Sequence, residues 1–390
     1  MSINGKAYIM GAFEHPTRKA PEKSLAQLHA ECAMGALEDA GLSKNDVDGF
    51  FCAGDSPGMF YTMTMADYMG LKVRHIDGTD TGGSSYMIHA SHAAQAVAAG
   101  KCNVALVTLA GRPRSEGAGV GTTVRAPNAN VPEGSFEHPY SPVLASVYAM
   151  CAARHMHEFG TTSEQLAWIK VAASHHAQHN PNAMLQDVVT VEDVVNSPMI
   201  TTPLHRLDCC VISDGGGALI ITRPEIAKSL KRPKVKILGG GEAIKHQNGG
   251  EFDLTFSGAA MSGPAAFAEA GVTPKDIQYA SIYDSFTITV LIQLEDLGFC
   301  EKGKGGAFVA DGGLISGVGK LPFNTDGGGL CNNHPSNRGG MTKVIEAVRQ
   351  LRGEAHPKVQ VPNCHLALAH GTGGMLGTRH GSGTLIMERE

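Results

Sequence analysis

The chain has 390 residues, 49 of them glycine and 19 proline, and 42% are apolar. Glycine plus proline stays below the ~25–30% of low-complexity chains, and that apolar share is enough to fill a large core. Lys+Arg 32 against Asp+Glu 37 leaves a formal charge of −5 without any basic block, which excludes an electrostatic footprint for nucleic acid and a polybasic membrane anchor.

The N-terminal MSINGKAYIMGAFEHP has no charged-then-apolar leader pattern, and no run of ~18 apolar residues follows. Nine cysteines, an odd number with no C-x-x-C pair, fit reduced core thiols in the cytoplasm, with adjacent Cys209 and Cys210 as small buried hydrophobes. In chain order, apolar spacing predicts a helix over 24–40, a strand over 47–53, a helix over 84–99 and a short apolar strand over 104–111. An insertion over roughly 112–205 carries helices at 141–159 and 163–179 and ends in HNPNAML, a Pro/Asn breaker. A strand over 211–222 then returns the chain to the core.

The pattern repeats. ALEDAGLSKNDV (36–47) reads against AFAEAGVTPKDI (266–277): a helix end, a glycine stop at Gly41 or Gly271, then Ser43 or Thr273 as a cap. A second pair follows in the same order, AQAVAAG with VALVTLAG against AVRQLRG with LALAHGTGG. The expectation is one α/β unit used twice, with halves at 1–235, including the insertion, and 236–390. An insertion on such a scaffold most often caps a site.

Four loops stand at equivalent strand-to-helix turns. DTGGSSY (80–86) precedes a helix whose free N–H groups could meet an anion or a carbonyl oxygen; the plain alternative is a turn with a serine cap. SIYDSFT (281–287) puts Tyr283 and Asp284 at a junction, as reactive groups or as a satisfied core pair. NTDGGGLCNNHPSNRGG (324–340) presents His334 from a glycine-rich loop with little core to bury it, and LALAHGTGG (366–374) delivers His370 into a glycine turn. Two histidines and a tyrosine on converging loops can form an acid/base set. His175 and His179, at i and i+4, could bind a metal, but no carboxylate follows at metalloprotease spacing. No metal site and no dinucleotide or Walker motif is expected.

The run YDSFT, LEDLGFCEKGKGG, PFNTDGG, NHPSNRGG and HGTGG resembles the thiolase superfamily over essentially the whole chain, nearest to the sterol carrier protein X thiolase and lipid-transfer-protein branch. The resemblance implies a duplicated, five-layered αβαβα fold with a loop-domain insertion over the coenzyme A site, and a homodimer. It matches His334 to the histidine of the family's G-H-P loop, Tyr283 to the residue that opens the N-E-A-F or H-D-x-F segment, and His370 to the second cysteine. The nucleophilic cysteine falls on Gly83, so that position is vacated. Ser84 and Ser85 lie beside it as substitute nucleophiles or substrate/CoA contacts, but the loop shows no base for a hydroxyl.

Members without the cysteine resemble thiolase-like aldolases of steroid side-chain degradation, which cleave a 3-hydroxyacyl-CoA by retro-aldol chemistry and often work with a small zinc-ribbon/OB-fold partner. That chemistry needs a base for the β-hydroxyl and donors for the thioester oxygen, but no acyl carrier. The resemblance implies Tyr283 as base, helped by Asp284, His334 as oxyanion donor, His370 as the group that reprotonates carbon, and Gly373 among the substrate-binding turns. The steroid aldolases carry a tyrosine-containing loop where this chain has NNHPSN, so the site reads as a mixture of aldolase and thiolase. The alternatives are a thiolase or acyltransferase with a displaced nucleophile such as Cys331, and a noncatalytic acyl-CoA or lipid binder. No cofactor is expected beyond coenzyme A as part of the substrate.

Overall fold

The computed structural model describes residues 2–53, 60–120, 143–245, 253–335 and 339–390. The first two residues of the expected 141–159 helix, and 336–338 of the His-Pro loop, lie outside them. In chain order the elements that carry the architecture begin with β1 (Tyr8–Glu14), α1 (Leu25–Ala40), β2 (Gly49–Cys52), α2 (Tyr61–Met69) and β3 (His75–Asp77). α3 (Ser85–Ala98), β4 (Val104–Gly111), α4 (Leu144–Phe159), α5 (Ser163–Ala177), β5 (Gly215–Thr222) and β6 (Val235–Lys245) follow. The chain closes with α6 (Ala259–Ala270), β7 (Tyr279–Ile282), α7 (Thr287–Asp296), α8 (Gly328–Cys331), α9 (Gly339–Arg352), β8 (Leu366–Met375) and β9 (Thr378–Arg389).

Nine strands form one sheet in the order β3-β2-β4-β5-β1-β6-β9-β8-β7. Outward from its middle, β1-β5-β4-β2 repeats as β6-β9-β8-β7, with matching pairings: antiparallel, antiparallel, then parallel. The two sets join through a short antiparallel contact, Tyr8 opposite Lys236 and Ile9 opposite Val235. Duplication is visible down to the caps. Gly41 and Gly271 end α1 and α6 at φ 72° and 73°, and Ser43–Asp46 and Thr273–Asp276 close the following turns with the same reciprocal hydrogen bonds.

α1 covers the outer face of β1, β5 and β4, and α6 covers β6 and β9; α3 and α9 lie together between the two sets of strands. That is the five-layered arrangement. Burial from both sides selects what the central helices can carry. α3 is built from small and apolar residues, and all but His92, Gln95 and Ala98 are buried. α9 is rich in charge, yet only Arg349 is not fully buried, so its charges are paired: Lys343 with Asp284 at 2.7 Å and Arg352 with Asp39 at 2.8 Å. An unpaired ion there would cost several kcal/mol, roughly the whole margin of a domain. The glycine run of β6 has a steric cause: a Cβ on Gly239 or Gly241 would strike the backbone of α6 at Ala266 or Ser262.

The returning strand is shorter than 211–222. Residues 211–214 leave the ladder because other bonds claim them: Val211 N donates to Gly329 O, Ser213 bonds the His334 loop, and Asp214 accepts from Ala20 N. The insertion helices form as expected, Leu144–Phe159 and Ser163–Ala177, the latter with a Thr162/Gln165 capping box. No helix among the described residues is long and apolar enough to cross a membrane.

Candidate active site

An open cleft of about 730 Å³, mouth included, lies where the insertion meets the loops of the second repeat. Tyr283, His334, Thr372, Gly373 and Gly374 line it from the second repeat, and Leu144 and Tyr148 of α4 line it from the insertion. Cys209, Cys210 and Ile212 complete the wall. The Cys209–Cys210 pair therefore borders the cleft, a correction to the expectation of plain core residues. The irregular backbone of 211–214 is what brings that segment against the His334 loop.

Gly83 sits against Tyr283. A Cβ built on Gly83 would collide with Cε2 of the Tyr283 ring and with the carbonyl oxygen of Thr372. The position that the family resemblance matches to the nucleophile is thus closed to any side chain. Its neighbours are spent on the turn: Ser84 Oγ donates to Thr81 O at 2.8 Å, and Ser85 Oγ accepts from Thr81 N at 2.9 Å. Both serines are fully buried and neither lines the cleft, so the geometry gives them turn-holding duties in place of the expected substrate contact.

Tyr283 is fixed through its backbone, its N–H donating to His370 O at 2.9 Å and its carbonyl accepting from Gln293 Nε2 at 2.8 Å. Its hydroxyl has no protein partner among the described residues. Burial, together with Cys210, Tyr148 and Asp284, pushes the phenol well above its ordinary range, so it stays protonated and can donate.

The imidazole of His334 meets the Tyr283 ring edge-on, centroids 5.4 Å apart. Gly329 and Gly339 make room for it, since a Cβ on either would come within 3.0 Å of His334 Cδ2. Burial, with Lys343 adding to it and Asp284 opposing, brings His334 down to about 4, and its Nε2 is a buried ring nitrogen without a hydrogen-bond partner among the described residues. A neutral imidazole with a free nitrogen at a cleft is a proton acceptor in waiting.

Asp284 points elsewhere. Its carboxylate accepts from Gly329 N at 2.8 Å and Leu330 N at 3.1 Å and faces Lys343 Nζ at 2.7 Å. It clamps α8, whose last residue lies three before His334, so the geometry assigns it to holding that loop and corrects the expectation of a base acting beside Tyr283. Ser213 Oγ accepts from His334 N at 2.9 Å and donates to Asn333 Oδ1 at 2.6 Å, while Asn333 Nδ2 donates to Glu14 at 3.0 Å. Burial raises Glu14, but Arg18 and Arg349 overcome it and leave the carboxyl at about 2.

His370 is turned away. It closes a ring of four side chains: Nδ1 to Thr384 Oγ1 at 2.8 Å, Thr384 to Ser262 at 2.9 Å, Ser262 to Ser382 at 3.1 Å, and Ser382 to His370 Nε2 at 3.4 Å. Both ring nitrogens are occupied, the side chain is fully buried, and burial with nearby His380 drops it to about 3. The cleft is lined instead by Thr372, Gly373 and Gly374 farther along β8, so His370 is not placed to reprotonate a substrate carbon.

Cys331 is also withdrawn, buried with Lys170 Nζ 3.2 Å from its sulfur and its thiol raised by burial. Of His175 and His179, His179 stacks on His356 with centroids 4.9 Å apart, and between them in sequence His176 accepts from Ser316 N. Ser213, Asn333, Lys343 and Tyr148 escape sequence reasoning. The double asparagine before His334 was a usable signal; Tyr148, an ordinary helical aromatic, offered none.

Residues 241–389 match the Thiolase C-terminal domain-like family. A steroid side-chain-cleaving aldolase of Thermomonospora curvata is 35% identical over 368 residues, 90% of this chain and 91% of that protein. The chain belongs to the thiolase superfamily. Within it, the solved Ltp2-ChsH2(DUF35) aldolase has a TM-score of 0.88 at 32% identity, covering 99% of this chain and 98% of that one. An acetyl-CoA acetyltransferase of Methanothermobacter thermautotrophicus is 33% identical, covering 91% of this chain and 93% of that protein. Identity barely separates aldolase from acyltransferase in this thiolase-like chain, which lies in the branch shared by the sterol carrier protein thiolases and the aldolases; the site itself discriminates.

Proposed function

We propose that this thiolase-family enzyme cleaves the Cα–Cβ bond of a 3-hydroxyacyl-CoA by a retro-aldol reaction. The observation that carries the reading is Gly83 closed by the Tyr283 ring, which leaves no room for the covalent acyl carrier that thiolysis requires. In the proposed reaction the β-hydroxyl proton passes to His334 Nε2 and the oxygen lone pair forms the new carbonyl. The Cα–Cβ electrons move into the thioester enolate, whose oxygen accepts a hydrogen bond from the Tyr283 hydroxyl. His334 then returns the proton to Cα. The products are a ketone or aldehyde and a shorter acyl-CoA; neither water nor free CoA is consumed.

Asp284 favours the charge on His334 midway, against burial and Lys343, which keep the imidazole neutral at rest. This ordering exchanges the roles that the family resemblance implies, because a buried phenol is a better donor than base and a neutral imidazole the reverse.

Coenzyme A enters as part of the substrate and no further cofactor is proposed. The Ltp2-ChsH2(DUF35) likeness supports a separate partner chain of the zinc-ribbon/OB-fold kind, and the exposed Ile76 on edge strand β3, with Phe60, Met63 and Tyr68 nearby in sequence, supports a homodimer. All nine cysteines are unpaired, which supports the cytoplasm. The test is product analysis of the purified protein, alone and with such a partner, given 3-hydroxyacyl- and 3-oxoacyl-CoA substrates with and without free CoA. Cleavage of the hydroxy compounds without added CoA is expected. Cleavage of the oxo compounds alone, and only with CoA, overturns the reading.

A further inference from the structure

Besides Tyr283 and His334 the described lining of the cleft holds several apolar side chains, and two of them stack on each other. The Tyr148 ring from α4 stacks on the Phe286 ring, centroids 4.3 Å apart and planes 27° from parallel, and each residue is only 3% exposed. Both line the cleft, yet they come from opposite parts of the chain, one from the insertion and one from the segment that carries Tyr283. The wall is held on both sides. Phe286 is bridged through its backbone to Cys209, and Ser285 O accepts from Cys210 N at 2.9 Å; the Tyr148 hydroxyl donates to Gly374 O at 3.4 Å. Around the pair stand Leu144, Cys209 and Ile212, with no charged group among them.

We propose that the Tyr148–Phe286 stack is the specificity wall for the carbonyl fragment released by cleavage, and that Tyr148 sets its size. This rests on the retro-aldol reading for what the fragment is. The substrate class is then a 3-hydroxyacyl-CoA whose β-carbon carries an apolar group no larger than one ring or a short branched chain. The β-carbon must lie beside His334 and Tyr283, and a fused-ring group placed there meets the stack. Tyr148 is a specificity residue in this assignment and takes no proton.

The experiment compares 3-hydroxy-3-phenylpropanoyl-CoA with its 2-naphthyl analogue in the wild type, Tyr148→Phe and Tyr148→Ala. The wild type and Tyr148→Phe are expected to favour the phenyl compound by about tenfold or more in kcat/KM, the discrimination a shaped apolar pocket supplies. Tyr148→Ala is expected to reverse that order through a lower KM for the naphthyl compound. Equal use of both by the wild type, or an equal loss on both in Tyr148→Ala, overturns the proposal; melting temperatures identify a variant that has merely lost its fold. Binding of the corresponding propanoyl-CoA compounds, which lack the hydroxyl, reads the same ratio by calorimetry. If neither hydroxy compound is cleaved but that binding ratio still reverses in Tyr148→Ala, the retro-aldol reading fails and the wall stands.

Discussion

The ring of Tyr283 occupies the volume that a side chain at Gly83 would need, and the carbonyl oxygen of Thr372 closes the same space from the backbone. The two residues are 200 apart in sequence, yet each constrains the other: the tyrosine fits because the glycine has no Cβ. In the proposed retro-aldol reading, a hydrogen-bond donor stands where the family resemblance puts a covalent nucleophile.

Gly83→Cys is therefore expected to give no acyl-enzyme, and to lower stability by roughly the 1–3 kcal/mol of an overpacked core site. Intact-mass spectrometry after incubation with an acyl-CoA and acid quench, beside a urea melt, checks both. An adduct at residue 83 would show that the ring yields.

Tyr283→Phe keeps the ring that fills the space and removes the hydroxyl that has no protein partner. Its melting temperature is expected to stay near that of the wild type while kcat falls about 10²–10⁴-fold, the scale of a lost transition-state donor. A large drop in stability would instead mark the hydroxyl as structural.

Lys343→Met leaves the buried Asp284 carboxyl without its cationic partner and is expected to cost about 3–5 kcal/mol, the figure for breaking a buried pair. Lys343→Met combined with Asp284→Asn should recover part of that loss, because no lone charge remains. Denaturant unfolding of the single and double variants measures it, and strict additivity would rule out coupling between the two.

Acid should weaken the fold before the carboxylates titrate. His89, His176 and His334 are held at about 4, and His370 and His380 at about 3, each mainly by burial and below the ~6.5 of an unfolded chain. The unfolded state binds more protons between those values, so this stability is fully present above pH ~6.5 and is lost as pH falls through the folded pKa values. Unfolding midpoints between pH 7 and 4 test this, and His370→Gln should flatten the slope.

His92 carries the opposite sign. His92 donates hydrogen bonds to Asp77 and to Glu242, which hold it at about 9 and join β3 to β6. That contribution is present below pH ~6.5 and is lost as pH rises through 9. His92→Gln should therefore cost stability at pH 6 and little at pH 10, measured by the same melts.

The sequence by itself determined the repeating α/β unit, its glycine stops and capping boxes, and the loops that carry Tyr283 and His334. These follow from spacing within a dozen residues, the range over which helix periodicity and caps act. The tertiary structure decided which polar atoms remain free. His370 and His334 look alike as histidines beside glycine turns. Yet His370 meets Ser382 and Thr384 and has both nitrogens occupied, while His334 meets the Tyr283 ring edge with Gly329 and Gly339 against it, and its Nε2 has no hydrogen-bond partner among the described residues. Asp284 follows Tyr283 directly in the chain but belongs to Lys343, 59 residues on. A buried polar group must find a partner wherever the fold supplies one, so whether a side chain is held fast or left reactive depends on residues distant in sequence that no local pattern specifies.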